Sequence, residues 1–391
     1  MADLIPPTGR VHWIGTGRST GSGLALVCAD TTTLLWGRTV ARAEACLARL
    51  GLSGRATPRA FDPETLAREI LPGDVLVSML PAAEHPGLAR IALAGSAHLV
   101  CSSYVSPGLA AHAREAAERG SVLLTEIGLD PGIDHLLAHH LVESARRAVG
   151  DRPAVAHFGS YCGSNPAVPN AFRYRFSWAP RGVLTALLTP ARMIEDGLPK
   201  RVARPWEEVG RLRVGDETFE VYPNRDSLPF VATYGLPATW RLESFVRGTL
   251  RLSGWSEAWK PVFAELAEAA AEGEAVDEAA LDALARRLAA RHPTTAADHD
   301  RVVMSVRLAV RTDDGDGWTG EWSLDAVGDA SESATARLVS VPLACGVLEV
   351  AAGRVPPGLH QATDDPDAVR RWLTFLATHG VTTTFHGDGE V

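Results

Sequence analysis

Residues 15–23 read GTGRSTGSG, with glycines at 15, 17, 21 and 23. They stand between an apolar run, RVHWIG, and a stretch of helical character, STGSGLALVCAD. Gly15 permits a tight strand-to-helix turn, and Gly17 lets the backbone approach a pyrophosphate. The helix N-terminus behind them would supply N–H donors and a favourable dipole. Position 20 is Thr20, so the third glycine comes one residue late, as G-x-G-x-x-x-G. No Lys-Ser/Thr follows, which excludes a Walker-type loop. A second informative stretch is LLWGRTVAR (34–42), where a site that prefers NAD usually carries an acid. Arg38 and Thr39 stand there instead, and a guanidinium with a hydroxyl suits a 2′-phosphate. The expected cofactor is therefore NADP(H). The densest stretch is EIGLDPGIDHLLAHHLVE (126–143). Gly128, Pro131 and Gly132 force a turn around Asp130, and a helix opens near Asp134. His135 and His139 are four apart on one helix face, but the Glu of H-E-x-x-H and a third ligand are missing. No metal is expected.

These residues need a scaffold, and the chain alternates strand and helix patterns to supply one. TTTLLWGR, GDVLVSMLP (73–81) and AHLVCSSYVSP (97–107) are short apolar runs of the kind buried on both faces of a parallel sheet. TVARAEACLARLG reads as a helix stopped by Gly51, and PGLAAHAREAAERG (107–120) as one helix running to Gly120. SVLLTEIGLDPG is a strand entering a loop. This order predicts an α/β fold, a doubly wound Rossmann-type parallel sheet with ligands at the C-terminal ends of its strands. From about 155 the pattern changes to strand-like runs at 155–162, 172–178 and 302–310. DEAALDALARRLAARH (277–292) is an amphipathic helix with Asp277 as N-cap, and RTDDGDGWTG a hairpin turn. The expected domains are 1–130 with a C-terminal return at 345–391, and an α+β substrate domain, 131–344, with a helical insertion at about 256–292.

The chain has 391 residues, a net charge of -9, 46% hydrophobic and 22% charged residues. Charges of both signs are scattered, which argues against a nucleic-acid or anionic-membrane partner. No apolar run approaches the ~18 residues of a membrane span. The five cysteines (Cys28, Cys46, Cys101, Cys162, Cys345) are odd in number and widely spaced, as expected of reduced thiols in a cytoplasm.

SYVSP, EIGLDPGIDHL, SYCG, RYRFSWAPRGVL, VYPNRDSLPF and FVRGTLRLSGW follow one another as in the saccharopine reductases. The chain thus resembles the NADP-dependent, glutamate-forming saccharopine dehydrogenases of the aminoadipate route to lysine, over nearly its whole length. The resemblance implies that 2-aminoadipate 6-semialdehyde joins glutamate as an imine, which NADPH reduces to saccharopine. It places Ser103, Tyr104, Asp130, Arg225, Arg247, Gly248 and Thr249 around the substrate. Around the cofactor it places Gly17, Arg18, Ser19, Arg38, Thr39, Ser102, Ser103, Leu129, Asp130, Pro131 and Ser177. A substrate with three carboxylates needs cations, and the guanidinium forks of Arg225 and Arg247 suit them. Tyr104, Asp130 and Cys162 are the candidate proton-transfer groups; a water or the substrate amine is the alternative. The resemblance also implies a homodimer formed through the second domain. The other readings are an opine or carboxynorspermidine-type dehydrogenase and a non-catalytic NADP-binding sensor.

Overall fold

The computed structural model describes residues 2–176, 180–270, 276–293, 295 and 298–388. In the first part of the chain run β1 (Arg10–Ile14), α1 (Gly23–Asp30), β2 (Thr32–Gly37), α2 (Val40–Arg49), β3 (Thr57–Ala60), α3 (Pro63–Glu69) and β4 (Val75–Ser78). They are followed by α4 (His85–Ala94), β5 (His98–Cys101), α5 (Pro107–Ala110), α6 (Ala113–Arg119), β6 (Val122–Leu124) and α7 (Ile133–Val149). The middle holds β7 (Ala154–Pro166), α8 (Pro180–Leu188), β8 (Ala191–Glu195), β9 (Leu198–Val202), β10 (Gly210–Val214), β11 (Glu217–Pro223), α9 (Pro229–Thr233) and β12 (Trp240–Leu252). Next come α10 (Trp255–Ala258), α11 (Lys260–Ala269), α12 (Glu278–Arg291), β13 (Asp300–Thr312) and β14 (Gly317–Val327). The chain closes with α13 (Ala334–Ala351), β15 (Gly358–His360), α14 (Pro366–Thr378) and β16 (Thr384–Gly387).

These elements form two compact units, Met1–Leu136 with Ala336–Val381, and Leu137–Thr335 with Thr382–Val391. The observed bounds lie at 136 and 336, where the sequence pattern placed them at 130 and 345. Residues 382–388 join the second unit because β16 pairs with β14.

The first unit is built on a seven-stranded sheet in the order β15-β6-β5-β4-β1-β2-β3, every pair parallel. β4, β5 and β6 are buried at every residue, because helices cover both faces of the sheet. The region between α2 and β4 holds β3 and α3, two elements too short to stand out as patterns. The helix expected over 107–120 is broken at Ala111 and His112 into α5 and α6. α13 corrects the expectation about apolar length. It has 18 residues at a mean hydropathy of 1.5, long and apolar enough for a span, and 72% of it is buried within the fold. A helix apolar all round is what a core position demands, and the close approaches of α13 show that position. A Cβ on Gly23 of α1 would lie 1.9 Å from the Ser340 carbonyl oxygen, and one on Gly346 would lie 2.9 Å from Ile127.

The second unit is built on a nine-stranded mixed sheet whose main path is β10-β11-β12-β7-β13-β14-β16, with the β8–β9 hairpin attached to β12. β7 runs parallel to β12 and antiparallel to β13. The β13–β14 hairpin turns through Gly315 at φ +97°, as the Asp-Gly run predicts. Residues 172–176 do not form the expected strand. Their alternating aromatics pack elsewhere: Tyr174 and Phe176 join Trp255, Trp259, Val262 and Leu266 in a cluster closed by Leu281, Leu284 and Leu288 of α12. Asp277 caps α12 by accepting from the Ala280 amide at 3.0 Å.

Candidate functional site

In the first unit the residues singled out by sequence stand at the C-terminal ends of parallel strands. Gly15 follows β1, Arg38 and Thr39 follow β2, Ser102 to Tyr104 follow β5, and the Asp130 loop follows β6. β1 lies between β2 and β4, where the strand order reverses. That is the place where doubly wound sheets bind ligands.

The glycine loop separates into positions with different physical reasons. Gly15 has φ +124°, and a Cβ there would meet the Met79 Cβ at 2.8 Å. Gly17 has no atom within 4 Å of its would-be Cβ and no positive φ. Neither packing nor conformation requires glycine at 17, which leaves close approach by a bound group as its reason. Thr20 replaces the usual third glycine; its hydroxyl donates to the Gly15 carbonyl at 3.1 Å and closes the loop. Gly23 takes the packing role of that glycine, against Ser340. The donors for an anion are displaced from where the motif puts them. The first helical amides are used internally: Gly23 to the Ser340 hydroxyl at 3.0 Å, Leu24 to Gly21 and Ala25 to Ser22. The amides of Gly17, Arg18 and Ser19 have no partner among the described residues, so this turn, not the helix terminus, presents free N–H groups. Arg38 is exposed. Thr39 caps α2, accepting from the Arg42 amide at 3.2 Å. The residues present therefore fit a dinucleotide that carries, besides its pyrophosphate, a 2′-phosphate near Arg38.

The β5 and β6 loops are bound to each other. Gly128 and Gly132 touch backbone to backbone, a Cβ on Gly132 falling 2.1 Å from the Gly128 carbonyl oxygen. The Gly132 amide donates to the Asp134 carboxylate at 2.7 Å, and Leu129 and Pro131 are buried beneath the turn. This holds Asp130 half-exposed at the tip, where the Tyr104 hydroxyl donates to its Oδ1 at 2.7 Å. Ser102 lies against Gly128, and the Ser103 carbonyl accepts from the Glu126 amide at 3.1 Å. Glu126 was not singled out by sequence, although it heads the motif. It is buried at φ +57°, and its carboxylate accepts from the Val105 amide at 3.0 Å and contacts His135 Nε2 at 2.8 Å. Burial pushes its carboxyl up, but the hydrogen bonds from His135, Val105 and Gln361 outweigh that and hold it below the ordinary carboxylate value. His135 thus serves as Glu126's partner. Among the described residues no group of three or more His, Cys, Asp or Glu could hold a metal.

In the second unit the strand register collects another set. Cys162 of β7 lies opposite Thr249 of β12, and Ser160 opposite Arg247. Opposed residues share a sheet face, and alternation puts these four on the same one. Arg247 is 4% exposed, and its guanidinium stacks 4.0 Å from the centre of the Phe230 ring. Its amide donates to the Ser227 hydroxyl at 3.0 Å. Arg225 is exposed at φ +56° and is tied in through its carbonyl, which accepts from the Arg192 amide at 2.9 Å. Gly248 has a packing reason on the opposite face, where a Cβ would meet the Tyr161 ring at 2.8 Å. Ser177 lies outside the described residues.

A parallel sheet with a nucleotide-fitting loop at its switch point, joined in one chain to a mixed sheet bearing a buried arginine, defines a two-domain dinucleotide-binding protein. The family model of the saccharopine dehydrogenase NADP binding domain matches residues 11–124, and that of the saccharopine dehydrogenase C-terminal domain matches 128–381. The chain belongs to the saccharopine dehydrogenase family. It is 36% identical over 231 residues to saccharopine dehydrogenase [NADP(+), L-glutamate-forming] of Saccharomyces cerevisiae, covering 56% of this chain and 49% of that protein. The protein of the same name from Pyricularia oryzae is 36% identical over 203 residues, covering 50% of this chain and 44% of its own length. The chain spans about half the length of the curated relatives it matches. The apo histidine-tagged saccharopine dehydrogenase (L-Glu forming) from Saccharomyces cerevisiae superposes with a TM-score of 0.80 at 25% identity, covering 97% of this chain and 100% of that one.

Proposed function

We propose that this protein is a saccharopine reductase. It joins 2-aminoadipate 6-semialdehyde and glutamate with loss of water, and reduces the resulting imine with NADPH and a proton to saccharopine and NADP; the reverse reaction is open to it. The observation that carries this reading is the buried Arg247 beside Ser160, Thr249 and Cys162 on one sheet face. A guanidinium so placed selects an acid and disfavours the amines of a polyamine substrate. The bound cofactor supplies the hydride. Gly17, Arg18 and Ser19 hold its pyrophosphate through their amides, and Arg38 meets its 2′-phosphate. Arg225 and Arg247 hold and orient substrate carboxylates, with Thr249 as a hydroxyl partner. Tyr104 and Asp130, already hydrogen-bonded, form the group that relays a proton at the reacting nitrogen, and Tyr104 fixes the orientation of the Asp130 carboxylate. Cys162 lines the acid-binding face.

The same reading includes a role in lysine metabolism, a homodimer through the second unit, and a cytoplasmic location. All five cysteines are free and buried, which agrees with a reducing compartment. Purified protein given NADP and saccharopine at alkaline pH should produce the absorbance band of reduced nicotinamide. NADPH binding without turnover would move the protein to the sensor reading.

A further inference from the structure

We propose that Arg251 is a further carboxylate receptor of the substrate, additional to Arg225 and Arg247; the inference rests on the acid-substrate reading above. Arg251 follows Arg247 by four residues on β12, so strand alternation puts both on one face with Thr249 between them. Arg251 is 7% exposed. No carboxylate lies within 4.0 Å of its guanidinium among the described residues. Glu220 stands opposite it in the β11–β12 register and is the natural ion-pair partner. That carboxylate is turned away, accepting from the Gly254 amide at 2.8 Å and the Ser256 amide at 2.7 Å.

What Arg251 does contact leaves its charge without a counterion. One terminal nitrogen donates to the Leu250 carbonyl at 3.0 Å and the other to the Tyr222 hydroxyl at 2.9 Å. Among the described residues its Nε is buried with no hydrogen-bond partner. The rings of Tyr174, Tyr222 and Trp255 surround the guanidinium at 4.9, 5.5 and 5.7 Å. Aromatic faces attract a cation but do not supply the in-plane acceptors that five N–H donors need. A buried charge left in that state is unfavourable until an anion completes it. The receptor also lies beside the acid-binding set. Tyr222 is opposite Thr249, and Thr249 is opposite Cys162. Two receptors four residues apart on a strand have Cα atoms about 13 Å apart. That spacing suits a long molecule with carboxylates at both ends, as the joined amino-dicarboxylate has.

The test uses the full chain with Arg251→Met, Arg251→Lys and wild type. Arg251→Met should raise the KM for saccharopine by roughly tenfold to a hundredfold, with a smaller change in kcat. Its NADPH affinity should stay at the wild-type value, and Arg251→Lys should fall between the two. Glutarate, a plain dicarboxylate, should raise the melting temperature of the wild type more than that of Arg251→Met, which keeps Arg225 and Arg247. An unchanged KM in Arg251→Met overturns the proposal. So does an equal glutarate shift in both proteins, or none in the wild type. A wild type that does not oxidise saccharopine defeats the parent reading alone, and the glutarate shift then decides Arg251.

Discussion

Glu126 occupies a left-handed backbone conformation that costs a non-glycine residue of order 1–3 kcal/mol, and it does so while buried. The surrounding contacts explain why the fold keeps it. Its carboxylate fastens the segment carrying Tyr104 to the helix that opens at Ile133, and Asp130 lies on the turn between. In the proposed reaction it acts through those residues as a positioning group. Glu126→Gln keeps the shape and removes the charge. It should lower kcat for saccharopine oxidation by roughly tenfold or more, since small displacements of reacting groups are expensive. NADPH affinity should hold, and Glu126→Asp should recover part of the loss. Wild-type kcat in Glu126→Gln would contradict this. Asp130, Tyr104 and Arg247 could be picked out in the sequence because they sit in recognisable motifs. Glu126 and Arg251 sit in the same motifs and were passed over, because their meaning lies in a dihedral angle and in an absent counter-charge. Neither quantity is visible in residue order.

At the scale of elements, one loop offers two glycines with opposite reasons. Gly17 faces open space and Gly23 faces the backbone of α13. Gly17→Ala should leave the unfolding free energy within the small range of surface changes, about 0.5 kcal/mol, and weaken NADPH binding. Gly23→Ala should destabilise the first unit by about 1–3 kcal/mol, because a methyl cannot share space with the Ser340 carbonyl. Equilibrium unfolding and NADPH fluorescence titration on both variants check the pair; loss of stability in Gly17→Ala would remove the argument for a pyrophosphate cradle. The parallel strands were legible because burial on both faces makes each a continuous apolar run. The second unit was harder to read. Its aromatic residues at 172–176 alternate like a strand but fill a helical cluster, a choice made by α10 to α12 far along the chain. The N–H donors of the glycine loop were misplaced for a similar reason, since Ser340, more than three hundred residues away, occupies the first helical amide.

The whole molecule carries several buried carboxylates whose ionised forms the fold favours. Asp74 is fully buried. Burial pushes its carboxyl up, but hydrogen bonds from His12, the Leu71 amide and Thr8 leave it below its ordinary value. Glu126 and Glu349 are shifted the same way; burial pushes the Glu349 carboxyl up, but hydrogen bonds from Arg371 and Arg354 outweigh it. A folded value below the unfolded one adds stability above the unfolded value, near pH 4, that is lost as pH falls through the folded value. The melting temperature should therefore hold from pH 7 to about 5 and fall steeply below about 4. Asp74→Asn should be less stable at neutral pH and show a shallower acid slope; an unchanged slope would show that Asp74 does not contribute to it.

In the proposed function the first unit holds NADP and the second holds a multiply acidic amine. One measurement addresses both: the initial rate of nicotinamide reduction by purified protein with saccharopine, first with NADP and then with NAD at equal concentration. A reduced-nicotinamide band that rises with saccharopine, and faster with NADP than with NAD, is the predicted result. No band with either cofactor, while NADPH still binds, would contradict the account.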